Sequence, residues 1–305
     1  MRSTVLLFLF TLGLIAGDPA NVRLVTSDID NFWRAYDMST PENRREIFQR
    51  EYLDKGSPGL QDFLKLRIKS ADELAKVVKS MPRFYASMRP ATLRIKEQTG
   101  TIRDYLKRFQ DLYPEAIFPD VYFLIGVANS GGTTSDHGLL IGAEMHARAP
   151  ETDESELGSW LKSVEKPMDQ MPVIIIHELA HFQQKSRGSS ELLEHSLREG
   201  AADFVSRVVT GRTINDHLRE WAEPRRDQLF AEFAQKAHGK DNKGWLYDGE
   251  SSKDRPADLG YWIGSEIVSD YYEQAKDKPA ALREIIELRD PAKIWRATRY
   301  AELFE

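Results

Sequence analysis

The feature that most constrains this chain is a histidine pair one helical turn apart, in the run Val173-Ile174-Ile175-Ile176-His177-Glu178-Leu179-Ala180-His181. On a helix, residues four apart project from the same face. Two neutral imidazole nitrogens from adjacent turns can bind one zinc ion at about 2.0–2.1 Å. Glu178 points roughly 100° around the helix from His177, so its carboxylate reaches a zinc-activated water without joining the ligand set. A buried glutamate and two buried histidines after four β-branched apolar residues are costly without a metal or other partners. The run therefore predicts a zinc helix with Glu178 as general base. The chain has no cysteine, which excludes thiolate ligands, disulfides and a cysteine nucleophile. Any transition metal must be held by His, Asp or Glu.

The third ligand sets the class of site. A metzincin needs Gly three and His six residues after the second histidine, and Gln184 and Arg187 stand there. Glu199 follows His181 by eighteen residues, in Arg198-Glu199-Gly200-Ala201-Ala202-Asp203-Phe204. The small residues 200–202 would let this helix approach the first closely. Asp203, one turn on, would orient a ligand histidine through its other ring nitrogen. This spacing resembles the gluzincin pattern. Glu191 and Glu194 lie nearer the connecting turn, and His195 leaves a three-histidine site open; Glu199 is favoured. His137, His146, His217 and His238 read as surface or loop residues, with His146 at the end of a strand that borders the cleft. For an oxyanion donor, Tyr261 in Gly260-Tyr261-Trp262-Ile263-Gly264 is the leading candidate, with a buried core aromatic as its equal alternative. Tyr247 is a weaker competitor.

The pattern along the chain predicts an α+β fold dominated by helices. Residues 1–17 read as a signal peptide, with Arg2 before an apolar run from Val5 to Ile15 that is short for a bilayer span. Residues 22–115 read as a helical N-terminal region, with Ser27-Asp28 as an N-cap, Pro41-Glu42 opening the next helix, and further helices at 58–67, 71–80 and 91–112. Ser70 and Glu73 have capping-box spacing. Residues 116–305 read as a zincin-like catalytic domain, and the pattern is compatible with the two parts forming one compact unit. Strands at 121–126 and 138–145, on either side of a polar loop, predict an antiparallel pair whose second member is an edge open to an extended substrate. The loop lacks the Lys-Ser/Thr ending of a phosphate cradle. Helices follow from Pro172 to Gln184, from Ser189-Ser190 to Val209, and near 258–275 and 280–302, with a loop at 239–257. The 41% hydrophobic content suffices for a core, and a net charge of -6 without a basic stripe argues against nucleic acid.

Several segments together resemble a bacterial family of predicted zinc-dependent proteases related to the gliding-motility lipoprotein B group. They are Phe118-Pro119-Asp120-Val121-Tyr122-Phe123, Gly131-Gly132-Thr133-Thr134, Leu140-Ile141-Gly142-Ala143-Glu144-Met145, the histidine motif, the Glu199 segment and Leu259-Gly260-Tyr261-Trp262-Ile263-Gly264. The resemblance covers roughly residues 25–300. It implies a gluzincin-like catalytic domain with an added helical region. Lipoprotein members carry a cysteine after the signal, whereas this chain has none, so lipid anchoring is not expected.

The expectation is an exported, periplasmic or secreted, zinc metallopeptidase acting on a peptide or protein substrate. His177, His181 and Glu199 hold Zn2+, Glu178 and Tyr261 act in catalysis, and Asp203 supports a ligand. No membrane span is expected after signal cleavage. The alternatives are a non-catalytic envelope protein with a structural or vestigial zinc site, and a zinc hydrolase of non-peptide bonds.

Overall fold

The computed structural model describes residues 17–186, 188, 190–247 and 255–305. Residues 1–16 of the expected signal peptide, and Arg187 and Ser189, lie outside them. The fold is α+β: helices surround a four-stranded mixed sheet of order β1-β2-β4-β3. The strands are β1 (Leu24–Val25), β2 (Asp120–Leu124), β3 (Gly132–Ser135) and β4 (Gly138–Gly142).

The pairing corrects the sequence expectation. β2 and β4 run parallel, from Asp120 opposite Gly138 to Leu124 opposite Gly142. The antiparallel partner of β4 is β3, inside the segment expected to be a polar loop. Its Gly-Thr-Thr-Ser composition conceals it, because an edge strand half open to solvent needs no apolar face. β4 is thus an interior strand, buried along its length, and the sheet edge belongs to β3. The strand also ends at Gly142, where a 3-10 turn from Ala143 to His146 begins. Gly138 is required: its φ is 145° and a Cβ would lie 2.2 Å from the Asp120 carbonyl oxygen.

The longer helices are α1 (Ser27–Met38), α2 (Ala71–Ser80), α3 (Thr99–Leu112), α4 (Met171–Gln183), α5 (Leu192–Thr210), α6 (Leu259–Gln274) and α7 (Lys278–Glu287). Ser70 caps α2 as expected, accepting from the Glu73 N–H at 3.1 Å. Asp28 does not cap α1: its buried carboxylate accepts from the Ser57 N–H and hydroxyl at 3.1 and 2.5 Å. The expected helix at 91–112 is split by a 3-10 turn at Arg94–Gln98. The expected helix at 280–302 is interrupted at Leu288 (φ 41°), with Pro291 starting the next turn.

Contacts run across the boundary expected near residue 115. β1 pairs with β2, the Tyr52 hydroxyl donates to the Ile125 carbonyl (2.7 Å), and the Tyr85 hydroxyl donates to that of Gly126 (2.8 Å). Tyr113 donates to Glu287 at 2.8 Å. Apolar side chains from both parts merge in one core.

α4 is buried on nearly every side from Met171 to Ala180, lying against β3, β4, α3 and α5. That placement explains its continuous apolar run, which a surface helix would not carry. α5 ends at Gly211, whose φ of 80° makes a left-handed cap. α5 does lie against α4, but among its small residues Gly200 serves a different contact from the one expected. Gly200 abuts α6, not α4: a Cβ there would sit 2.1 Å from the backbone of Gly264 and Ser265. A Cβ on Gly264 would sit 1.7 Å from the Ser196 carbonyl oxygen.

Candidate metal centre

α4 and α5 bring His177, His181 and Glu199 together, each offering one ligand atom within 4.8 Å of the others. The His177 and His181 Nε2 atoms are 3.1 Å apart. Glu199 Oε2 lies 3.1 Å from His181 Nε2 and 3.5 Å from His177 Nε2.

The outward nitrogens of both rings are fixed by neighbours. His177 Nδ1 donates to Asp203 Oδ1 at 3.0 Å, as the sequence predicts, and Asn215 Nδ2 holds the other Asp203 oxygen at 2.9 Å. His181 Nδ1 faces Gln184 Oε1 at 2.9 Å. The Gln184 amide nitrogen is committed to the Arg198 carbonyl at 2.8 Å, so its oxygen is the atom left for His181. Each Nδ1 therefore carries hydrogen, and in the neutral ring each Nε2 presents a lone pair. Two lone pairs and a carboxylate oxygen face one another, and only a proton or a metal cation relieves that arrangement. Two imidazoles and a carboxylate are a donor set that suits zinc.

The electrostatics agree with this geometry. Burial alone would lower His177, but hydrogen bonds to Asp203 and Glu199 outweigh it and hold the imidazole at about 10. Burial also opposes charge on Glu199, yet the two imidazoles keep it well below the usual carboxylate range. For Glu178 burial wins and pushes the carboxyl up, against the pull of His181 and His177.

A cleft of about 800 Å³ opens onto the centre, lined by Glu178, Glu199, Tyr261, the β3 residues Gly132 to Thr134 and others. Gly132 lies directly over Glu178: a Cβ there would come within 2.7 Å of Oε1 and 2.9 Å of Cδ. Tyr261 stacks on His177 with ring centroids 6.3 Å apart. Tyr247, the weaker candidate for oxyanion donor, instead donates to Glu199 Oε1 at 2.6 Å. That bond leaves Oε2 as the atom facing the histidines.

A model of the family described as gliding motility protein GldB matches residues 20–302. The chain belongs to the GldB family. No curated protein and no solved structure matches it. The GldB match spans the N-terminal helices as well as the centre, and it points to the cell envelope. Among the described residues no helix is long and apolar enough to cross a membrane.

In this GldB-family chain His195 stays outside the centre; its Nδ1 accepts from Asn242 at 3.0 Å. His137 and His238 pair with Asp62 and Glu191. His146 is not a surface residue: it is 2% exposed and lines the cleft. Its Nε2 meets the Gly131 carbonyl at 3.3 Å, and burial lowers the ring to about 4. Gln184 and Asn215 are the supporting residues that the sequence reading missed. Gln184 had a signal, since it occupies the position that excludes a metzincin; Asn215, sixteen residues beyond Glu199, had none.

Proposed function

We propose that this protein is an exported zinc metallopeptidase, periplasmic or secreted, with a zincin-like catalytic domain and a gluzincin-like centre. His177, His181 and Glu199 would hold the metal. The observation that carries the reading is the convergence of their three lone-pair atoms, with each ring's opposite nitrogen already tied to an acceptor. When bound, zinc lowers the pKa of a water and polarises a substrate carbonyl.

The chain's own groups supply the remainder. Glu178 opens onto the cleft beside the convergent atoms without being one of them. Its raised basicity suits it to take a proton from the attacking water at its carboxylate and return it to the departing amine. The Tyr261 hydroxyl makes no hydrogen bond among the described residues, which leaves it free to donate to an oxygen gaining negative charge. The edge of β3 borders the same cleft and can pair with an extended peptide backbone.

Asp203→Ala removes the acceptor that orients His177, so zinc affinity should fall about 10–100-fold, read by competition with a chromogenic chelator. Unchanged affinity would remove Asp203 from the account. Gly132→Ala should leave zinc affinity and thermal unfolding close to wild type while lowering turnover, because its Cβ displaces the Glu178 side chain. The function itself is tested by peptide-library cleavage: zinc-loaded protein should cleave, and chelator-treated protein should not until zinc is restored.

A further inference from the structure

The cleft carries cationic side chains that form no ion pair among the described residues; the negative charge that acts on Lys166, Asp203, is already hydrogen-bonded to His177 and Asn215. Lys166 is the clearest of them. Its backbone is fixed on both sides: its N–H donates to the Met145 carbonyl at 2.9 Å, and its carbonyl accepts from the Arg148 N–H at 3.1 Å. The side chain lines the cleft and is half-buried. It makes no ion pair and no hydrogen bond among the described residues. Its neighbour Glu165 is 1% exposed, absent from the cleft wall, and without a partner for either oxygen among the described residues. Taking an ammonium out of water without a counter-ion is unfavourable. Such a group on a fixed backbone in a cleft suits a ligand that brings the counter-ion.

Two further cations face the same space. Arg67 donates through Nη2 to the Thr133 hydroxyl at 3.2 Å, and its buried Nε has no acceptor among the described residues. Arg198 is exposed at the cleft wall. His146 lines the same cleft with a buried Nδ1 that has no partner among the described residues. Among the described residues the acids lining the cleft are Glu178, Glu199 and Asp258. A bound dication would offset the first two, leaving Lys166, Arg67 and Arg198 against Asp258. The described lining of the cleft is then positive within a chain of net charge -6, and a surface of one sign concentrates ligands of the other.

We infer that the cleft selects peptides bearing a carboxylate close to the bond presented at the metal centre, with Lys166 as the specificity-determining residue. The peptide as ligand rests on the peptidase reading above; the carboxylate preference rests on the cations alone. The carboxylate comes from an Asp or Glu side chain or from a free C-terminus.

The test is fluorescence-anisotropy binding of labelled octapeptides to the zinc-loaded Glu178→Gln protein, which keeps ligands intact. Peptides carry a central Glu, Gln, Ser or phosphoserine, each with a free and an amidated C-terminus. The Glu peptide should bind about tenfold tighter than the Gln peptide, a difference of about 1.4 kcal/mol. If the C-terminus is the source, the free acids gain by that factor instead. Lys166→Met should abolish the gain without changing the Gln-peptide affinity, and Lys166→Arg should keep most of it; circular dichroism melts check that both variants fold. Equal binding of all carboxylate and amide peptides, no binding of any, a gain surviving in Lys166→Met, or a gain for phosphoserine alone overturns the inference. Cleavage by the wild type is scored separately. Tight binding of Glu peptides without Glu178-dependent cleavage defeats the peptidase reading but not the carboxylate site, and cleavage without carboxylate preference does the reverse.

Discussion

Glu178→Gln is expected to keep its zinc and to lose turnover of a cleaved peptide by about 10²–10⁴-fold, the usual contribution of a general base. Glutamine has nearly the same shape, so it fits beneath Gly132, where the absence of a Cβ makes room for the side chain. The three convergent atoms come from His177, His181 and Glu199, so the ligand set is untouched. The amide has no basic oxygen to receive a proton, and the loss should fall on kcat rather than KM. Steady-state kinetics on a library-selected peptide, with metal content measured on the same samples, would check both halves. Undiminished kcat would remove Glu178 from the chemistry.

The largest expected effect on stability is at Gly264. A Cβ there would stand 1.7 Å from the Ser196 carbonyl oxygen, and its counterpart on Gly200 would stand 2.1 Å from Gly264 itself. Backbone atoms cannot swing aside as a flexible side chain does, so α5 and α6 must separate. Gly264→Ala should cost about 3 kcal/mol or more, at or beyond the upper end of ordinary overpacking, read as a lowered midpoint in urea unfolding. The crossing has a second consequence. Ser196 and Gly200 flank Glu199 on α5, while Tyr261 lies one turn before Gly264 on α6. Zinc affinity should therefore fall together with stability, because the same close approach sets the third ligand and Tyr261. A variant with wild-type unfolding and wild-type zinc affinity would contradict this packing.

The residues that the sequence brought forward most clearly are those whose chemistry depends on helical spacing. His177, Glu178 and His181 lie within one turn and a half of one helix, and Glu199 and Asp203 lie one turn apart on another. Four-residue spacing maps directly onto a shared face, so the candidate centre was legible. The sheet was less so. β3 is a Gly-Thr-Thr-Ser edge with no apolar alternation, and its concealment turned a parallel β2–β4 pair into an expected antiparallel one. Gly200 was expected to bring α5 against α4 but packs on α6, since a small residue marks a close approach without naming its partner. His146 passed for a loop residue because a single histidine after a strand carries no periodicity. Asn215 and the Tyr247 contact to Glu199 arise from chain segments distant in sequence, where only the tertiary fold creates the pairing.

Zinc stoichiometry tests the central claim most directly. Purified protein, stripped with chelator and reloaded, is analysed by inductively coupled plasma mass spectrometry after removal of free metal. Wild type and Glu178→Gln should each retain one zinc per chain, and the His177→Ala/His181→Ala double variant should retain none while keeping its helical circular dichroism. Wild-type protein that holds no stoichiometric zinc, or a double variant that still holds it, would contradict the account.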